Sequence, residues 1–432
     1  MRHTLLSAII SPASLAVALV LLPLFLSSAG AVELTPIPVD TIDALEYHKV
    51  SNWFWGIHQV VGLLLPLVLL FSGWGAMLYS RIFLFVRNRR SVGVALFAGT
   101  YFVMDRLVRT PVGFLWERAH GRATGGDGQA FLPWLGSQVA SWLLPLVGVS
   151  IGSVIAYWLI SKSPRHWGIW AFAAGSVAVF TVLLAEPWTQ RYRQLGGTRL
   201  ETSIVELAGR VGIPKKSIVV EHCDPADSCP PGRVIGLGPT RLMLLNDALL
   251  AKNPERWTLQ MVAHEAKHFA LDDNVKALFL LSGLLLVGLW LVNRVVGDCT
   301  HRWPVRFGFS QLGDPASLPL VVFVLMAAFL VLLPAINAFR QHVELEADRF
   351  ALEFNRDNRA QAEMIASWAA DSKLQVEEVS LFSQLFRASI HRALNASVSP
   401  MATTLGLTDN PSYMAISWNR RRGASDTFSE TP

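Results

Sequence analysis

Long apolar runs constrain the fold of this chain more than any other feature. Six of them approach or exceed the roughly 20 residues that an α-helix needs to cross a bilayer. A seventh run, Val92–Met104, is shorter and fits either a buried core helix or a span that its flanks complete. The runs predict a mainly α fold, a polytopic transmembrane helical bundle of about seven helices. The six longer runs are Leu5–Ala29, Val60–Tyr79, Val139–Ile160, Trp167–Leu184, Ala277–Val292 and Leu318–Phe339.

The composition agrees with a membrane protein. Only 16% of the 432 residues are charged, against about 25% in soluble domains, and the net charge is +5. Many arginines stand at the ends of apolar runs rather than on one basic face, which argues against a nucleic-acid partner. Three cysteines are too few for a disulfide scaffold. The lipid bilayer is therefore the expected surrounding, and the oligomeric state is left open.

The first run allows two interpretations, and the rest of the chain alternates between apolar and polar segments. Arg2 precedes the run and Ala29-Gly30-Ala31 ends it, as at a signal-peptidase site, whereas its length and two prolines favour a retained anchor. We expect a signal peptide or first anchor at 1–31, membrane helices at 32–185 and a transmembrane hairpin at 276–339. Two polar parts of one domain are expected at 186–275 and 340–422, followed by a disordered tail at 423–432.

An H-E-x-x-H motif lies in the first polar part, within a stretch that contains neither Pro nor Gly. His264 and His268 are one helical turn apart, so both imidazoles can bind the same zinc ion. Glu265 lies beside them and can take a proton from a water that the zinc acidifies. The motif predicts one catalytic Zn²⁺ per chain with Glu265 as general base. A chance motif on a surface helix is the alternative.

A catalytic zinc needs a third protein ligand and an open position. The candidate lies in the second polar part, where Glu344 and Asp348 are four residues apart and share a helix face. One carboxylate suits a metal ligand, and the other suits a partner that orients a ligand imidazole. Glu346 is directed elsewhere around the helix. A solvated acidic helix is the alternative.

Two short apolar strands are predicted on either side of a Gly-Pro turn, between Arg233 and Asn246. A strand beside a protease helix can pair with an extended substrate backbone, and glycines let that backbone approach closely. Gly236, Leu237 and Gly238 are the candidate residues for such a substrate-binding edge. An ordinary hairpin that covers the core is equally compatible with the sequence.

These motifs, in this order, resemble the integral-membrane zinc proteases of the type I CAAX prenyl endopeptidase family, from about Leu107 to Leu352. The resemblance implies a helical membrane bundle with a small α+β zinc metalloprotease domain. It implies that His264, His268 and Glu344 bind zinc, that Glu265 is the general base and that Asp348 supports a zinc ligand. The matching segments are Leu107–Pro111, Glu117–Gly121, Glu186–Trp188, Leu200–Pro214, Asn246–Leu250, the H-E-x-x-H motif and Glu344–Asp348.

Three positions depart from the family's pattern. Lys267 stands where the family has a Gly, and Pro231-Gly232 stands where it has the Asn-Ala that opens its edge strand. Asn410-Pro411 replaces a His-Pro element, which leaves the partner of the transition-state oxyanion unassigned, with Arg340 and His342 as alternatives. No feature of the sequence identifies a prenylated substrate.

Basic residues predict the orientation. Outside the catalytic parts, ten Lys and Arg residues fall on one side of seven crossings and five on the other. The positive-inside rule makes the first side cytoplasmic, so the catalytic parts face the extracytoplasmic side, as in a bacterial inner-membrane protein. The ten residues are Arg2, Arg81, Arg87, Arg89, Arg90, Lys162, Arg165, Arg294, Arg302 and Arg306.

Two cysteines bear on the same question. Cys223 and Cys229 flank a turn-rich loop in the catalytic part and would close a small disulfide loop in an oxidising compartment. Free thiols, or a minor metal site with His222, are the alternatives. Cys299 is expected to be cytoplasmic and unpaired.

Taken together, the sequence predicts a membrane-embedded zinc endopeptidase that hydrolyses peptide bonds of protein or peptide substrates. The alternative is a catalytically weak membrane scaffold or chaperone that binds substrates through the zinc domain, and the departures at Lys267 and Asn410 keep it open. A transporter is disfavoured because the apolar runs carry few ionisable residues, although Asp105 at the end of one run is such a residue.

Overall fold

The computed structural model describes residues 42–123, 128–223, 230–371 and 381–386. All of these belong to one compact unit, Pro38–Thr403. The predicted signal peptide or first anchor, Cys229, Asn410-Pro411 and the predicted tail from residue 423 lie outside the described residues.

Helices make up most of the described chain. They are α1 (Ile42–Phe71), α2 (Trp74–Phe85), α3 (Arg90–Ala123), α4 (Phe131–Lys162), α5 (Trp167–Thr189), α6 (Arg199–Gly209), α7 (Asp247–Lys252), α8 (Glu255–Ala270), α9 (Asp273–Arg302), α10 (Pro304–Phe307), α11 (Leu318–Asn355), α12 (Asn358–Asp371) and α13 (Leu381–Phe386). Among the described residues, α1, α3, α4, α5, α9 and α11 are long and apolar enough to cross a membrane. The prediction of a mainly α, polytopic membrane bundle is confirmed.

Two apolar runs fold differently from their simplest interpretation. The run Val60–Tyr79 is divided, because α1 ends at Phe71 and Gly73 adopts a left-handed φ of 71° before α2 begins. The short run Val92–Met104 is the middle of α3, a helix of 34 residues. Its polar flanks are helical as well, so the segment reaches the length of a membrane span.

The membrane helices share one apolar core. Leu69 of α1, Phe97 of α3, Tyr157 of α4, Val296 of α9 and Leu320 of α11 are all buried in it. Tight interdigitation of such side chains, rather than exclusion of water alone, holds helices together in a lipid environment.

A buried ion pair within α3 is also bonded to the main chain of α1. The Arg109 guanidinium donates to Asp105 Oδ1 at 2.8 Å within α3, and to the carbonyl oxygen of His58 in α1 at 3.1 Å. The guanidinium lies against Gly62, where a Cβ atom would overlap it. Charge pairing and a main-chain bond across helices therefore account for Asp105 without a transport pathway.

The links between the membrane helices meet at one end of the bundle. The Arg90 guanidinium at the start of α3 donates to the carbonyl of Gly313, which precedes α11, at 2.8 Å. The Arg306 guanidinium of α10 lies 5.2 Å from the ring centroid of Phe71 at the end of α1. The links 72–89 and 303–317 therefore lie together. With six spans in alternating directions, residue 42, the segment between α5 and α9, and the end of α11 are at the opposite end.

A four-stranded sheet lies in the segment between α5 and α9. Its strands are β1 (Tyr192–Gln194), β2 (Ile218–Glu221), β3 (Gly232–Ile235) and β4 (Leu242–Asn246), in the order β1-β2-β4-β3. β2 and β4 are parallel, whereas the two outer pairs are antiparallel. The central strands are apolar and buried, which is the pattern of strands covered on both faces.

The predicted hairpin is present, but the assignment of its edge strand was wrong. β3 ends at Ile235, and Gly236 and Gly238 have φ angles of 81° and 54°. These left-handed conformations turn the chain toward β4. Gly236, Leu237 and Gly238 therefore form the turn, and the edge strand is Gly232–Ile235.

Helix α6 begins with a reciprocal capping box. The Glu201 N–H donates to Thr198 Oγ1 at 3.2 Å, while Glu201 Oε2 accepts from the N–H groups of Gly197 at 2.7 Å and Thr198 at 3.1 Å. Burial opposes ionisation, but the Gly197 N–H, the Thr198 N–H and Arg193 lower the pKa of Glu201 to about 2. The ionised carboxylate therefore stabilises the fold.

We predict that Glu201→Gln lowers the free energy of unfolding by about 1 kcal/mol at pH 7, the usual value of a helix cap. Because the pKa of Glu201 is lowered in the folded state, its contribution is complete above its ordinary value of 4.5 and is lost as the pH falls toward about 2. Unfolding in detergent at several pH values measures this. Glu206→Gln, on an exposed pair with Arg210, is the control. A pH-independent difference between the Glu201 variant and the natural chain would contradict the prediction.

Candidate active site

Helix α8 holds the H-E-x-x-H motif against the sheet. Its 16 residues contain neither Gly nor Pro, and Met261, Val262 and Ala266 are buried on the side that packs inward. His264 and His268 project together from a neighbouring face, with their Nε2 atoms 3.2 Å apart. One helical turn separates the two imidazoles, as the motif spacing requires.

Helix α11 supplies the third candidate ligand. Glu344 Oε2 lies 3.4 Å from His264 Nε2 and 3.9 Å from His268 Nε2. In the part of the chain that the structure describes, these three residues form the group of His, Cys, Asp and Glu side chains that could hold a metal ion. Ligand atoms around a tetrahedral zinc are about 3.3 Å apart, since each metal bond is about 2.0–2.1 Å. The donor set and the spacing fit one zinc with an open fourth position.

Each histidine is held from behind by a carboxylate. His264 Nδ1 lies 2.9 Å from Asp348 Oδ1, and His268 Nδ1 lies 2.8 Å from Asp273 Oδ2. Such a contact fixes the imidazole orientation and leaves Nε2 for the metal. Gln361 Nε2 donates to the same Asp348 oxygen at 3.4 Å. The structure thus places Asp348 where the sequence suggested a supporting residue, on the first motif histidine.

Sequence reasoning missed Asp273. It lies five residues after His268, but it is the first residue of membrane helix α9 and a chain turn separates it from α8. The only signal in the sequence was an acidic residue five positions after His268. Because the helix ends between the two residues, helical periodicity does not predict that they meet. The contact depends on how α9 leaves the membrane beside α8.

Glu265 is buried next to the three candidate metal ligands, His264, His268 and Glu344, and next to the edge strand β3. It is 3% exposed, and a Cβ atom on Gly232 would lie 2.8 Å from Glu265 Cγ. Only a residue without a side chain lets the strand approach this closely. Burial raises the pKa of the Glu265 carboxyl above its ordinary value, although the charges of His268 and His264 oppose the rise. A raised pKa suits a group that must accept a proton and then release it.

Lys267 has a place in the same network. Its side chain is fully buried, and its ammonium contacts Asp273 Oδ2 at 2.9 Å, the Val343 carbonyl at 3.0 Å and Glu346 Oε2 at 3.1 Å. The ammonium donates hydrogen bonds to Asp273 and Val343 and forms an ion pair with Glu346, so its buried charge is compensated. Lys267 therefore joins α8 to the first turn of α9 and to α11. It is not one of the three candidate metal ligands.

The remaining candidate residues lie around this centre. His342 Nε2 is 3.2 Å from Glu346 Oε1 and the side chain is mostly exposed. His222 Nδ1 lies 2.5 Å from Asp247 Oδ2, and the Cys223 N–H donates to Asp247 Oδ1 at 3.1 Å. His342, His222 and Cys223 are outside the three-residue metal group. Since Cys229 lies outside the described residues, the disulfide stays a prediction.

Comparison with known proteins identifies similar chains. The model of peptidase family M48 matches residues 196–407. A protein described as uncharacterized metalloprotease YhfN, from Bacillus subtilis (strain 168), is 23% identical over 362 residues, which are 82% of this chain and 83% of the relative. A CAAX prenyl protease 1 homolog from Dictyostelium discoideum is 24% identical over 224 residues, which are 50% of this chain and 52% of that protein.

One solved structure has the same fold. The crystal structure of S. mikatae Ste24p gives a TM-score of 0.64 at 16% sequence identity, and the match covers 84% of this chain and 92% of that chain. The fold expected from the family resemblance is confirmed.

We predict that Asp273→Asn weakens zinc binding by about 10- to 100-fold, because the substitution removes the negative charge that orients and polarises His268. Competition with a chelator of known affinity measures this in the purified protein. Asp298→Asn, which alters an exposed pair with Arg294 on the same helix, is the matched control and should bind zinc as the natural chain does. Equal affinity in the Asp273 variant would show that this contact does not support the metal.

Proposed function

We propose that this chain, a multi-pass membrane protein that carries a peptidase family M48 domain, is a zinc-dependent endopeptidase acting on protein or peptide substrates. The convergence of His264, His268 and Glu344 beside the buried Glu265 carries the proposal. These three residues would hold one zinc ion per chain. When bound, zinc acts as a Lewis acid toward a carbonyl group and lowers the pKa of water.

The chain's own residues perform the proton transfers. Glu265 takes a proton from the attacking water and passes it to the amine that leaves. The burial of Glu265 shields the carboxyl from bulk solvent and strengthens its interaction with the attacking water and the other reacting groups. Asp348 and Asp273 hold the two imidazoles so that neither ring must reorient during the reaction. An extended substrate pairs with the outer edge of β3, next to Glu265.

The two polar parts, 186–275 and 340–422, together form the proposed peptidase domain. α8 from the first part and the end of α11 from the second provide the zinc ligands. The lipid bilayer surrounds the six spans, and the basic links lie at the end of the bundle away from this domain. Positive-inside bias then places the links in the cytoplasm and the peptidase domain on the extracytoplasmic side of a bacterial inner membrane.

A scaffold that binds without cutting is less well supported. Lys267 kept that alternative open as a departure inside the motif. Its ammonium is paired with Asp273 and Glu346 and donates to the Val343 carbonyl, so it lies outside the group of three candidate metal ligands. Asn410, the other departure, lies outside the described residues. A complete ligand set with an adjacent buried carboxylate is the arrangement of a hydrolytic zinc site.

We predict that Glu265→Gln retains zinc but lowers the rate of peptide cleavage by at least about 100-fold, the usual contribution of a general base. Zinc content and cleavage of an unfolded test protein are measured on the same preparation. Glu255→Gln, on an exposed carboxylate at the start of the same helix, should cleave normally. Normal turnover by the Glu265 variant would exclude the mechanism, and zinc binding without cleavage by the natural chain would favour the scaffold.

The orientation predicts the state of the three cysteines. If the peptidase domain faces an oxidising compartment, Cys223 and Cys229 form a disulfide, whereas Cys299 is a free thiol. Denatured protein that has not been reduced should therefore take up a single alkyl label, on Cys299, and reduction should expose two more sites. Mass spectrometry counts the labels. Labelling of Cys223 and Cys229 before reduction would contradict this orientation.

A further inference from the structure

The free hydrogen-bonding groups on the outer edge of β3 follow from its register with β4. The carbonyl of Pro231 accepts from the Asn246 N–H of β4 at 3.0 Å. Along an antiparallel strand the main-chain groups point alternately toward and away from the partner. Gly232 and Val234 therefore direct their N–H and C=O groups away from β4. Gly232 is also the residue beside Glu265, so under the proposed mechanism the scissile bond would lie near this position of the edge.

A side chain from a membrane helix occupies this edge just beyond Gly232. Asn274, in the first turn of α9, donates through Nδ2 to the carbonyl of Val234 at 3.2 Å and to that of Gly236 at 3.0 Å. A carboxamide nitrogen has two hydrogens, and both are used. An incoming peptide therefore finds an N–H and a C=O at Gly232, but only the N–H at Val234.

The carboxamide of Asn274 is held in place by its neighbours. The adjacent Asp273 contacts both His268 and Lys267, and Asp272 pairs with the Arg241 guanidinium near the start of β4. These contacts join the first turn of α9 to α8 and to the hairpin. Displacing Asn274 from β3 would therefore require the movement of several charged groups.

We infer that Asn274 is a specificity-determining residue that limits how many substrate residues on one side of the cleaved bond pair with β3. The inference rests on the proposed endopeptidase function. An extended peptide gains main-chain bonds at Gly232 and at the Val234 N–H, and residues farther along meet carbonyls that Asn274 already occupies. The substrates that fit are chains that are extended only for a short stretch beside the cut.

Two nested peptide series test the inference. Both share one cut site, and one is lengthened on the amino side while the other is lengthened on the carboxyl side. The value of kcat/KM for each peptide is divided by that of the shortest peptide, so the amount of active, zinc-loaded enzyme cancels. For the natural chain we expect no gain beyond about the second residue on the side that follows β3.

In Asn274→Ala the same side should gain about two- to tenfold for each added main-chain bond, the usual range for a hydrogen bond. Asn274→Ser, whose side chain is too short to reach both carbonyls, provides a second variant with the same expectation. Asn355→Ala is the matched control, because Asn355 likewise donates to a main-chain carbonyl, that of Leu259 in α8, but away from β3. Its length profile should equal that of the natural chain.

The outcomes separate the two proposals. If the Asn274 variants keep the flat profile, or if the natural chain gains with every added residue on both sides, Asn274 does not limit pairing and the inference is overturned. In both cases cleavage of the shortest peptide leaves the endopeptidase function intact. If the zinc-loaded natural chain cleaves no peptide in either series, the proposed function fails and the inference fails with it.

Discussion

The metal site depends on where two membrane helices leave the bundle beside α8. Helix α11 has 38 residues, about 57 Å of helix, whereas the hydrocarbon core is about 30 Å thick. Its apolar run ends at Phe339, so Glu344 and Asp348 lie in a continuation of the same rigid helix. Glu344 therefore reaches the histidines only if the packing of the bundle fixes the position of α11 along its axis relative to α8. The sheet and α8 provide only two of the three candidate metal ligands, and α11 provides the third.

Buried charge ties this arrangement together. The Asp273 carboxylate contacts His268, Lys267 and Lys276, and Lys267 in turn contacts Glu346 and a main-chain carbonyl of α11. A buried ammonium is costly unless its hydrogens are all bonded. The contacts to Lys267 come from two other helices, α9 and α11, so its burial requires α8, α9 and α11 to be correctly packed. Lys267, which departs from the family's motif, therefore helps to hold the motif helix in place.

The sequence predicted the features that depend on length and spacing. Runs of about 20 apolar residues indicated the spans, and four-residue spacing placed His264 with His268 and Glu344 with Asp348. It failed where backbone conformation or tertiary packing decides. The break at Gly73 and the turn at Gly236 arise from positive φ angles. Glycine permits such angles, but a glycine in the sequence does not show that it adopts one. Asp273 and Asn274 act through their position at the start of α9, and no local pattern encodes that position.

The start of α9, with the N-cap Asp272 that precedes it, contacts three parts of the candidate site. Asp272 pairs with Arg241 of the hairpin, Asp273 orients His268, and Asn274 bonds the edge strand. Because three consecutive residues make these contacts, a shift of α9 would move His268 and strand β3 together. The start of a membrane helix is thus in direct contact with the candidate metal site. The distance between His268 and β3 is then set by the packing of α9 in the bundle.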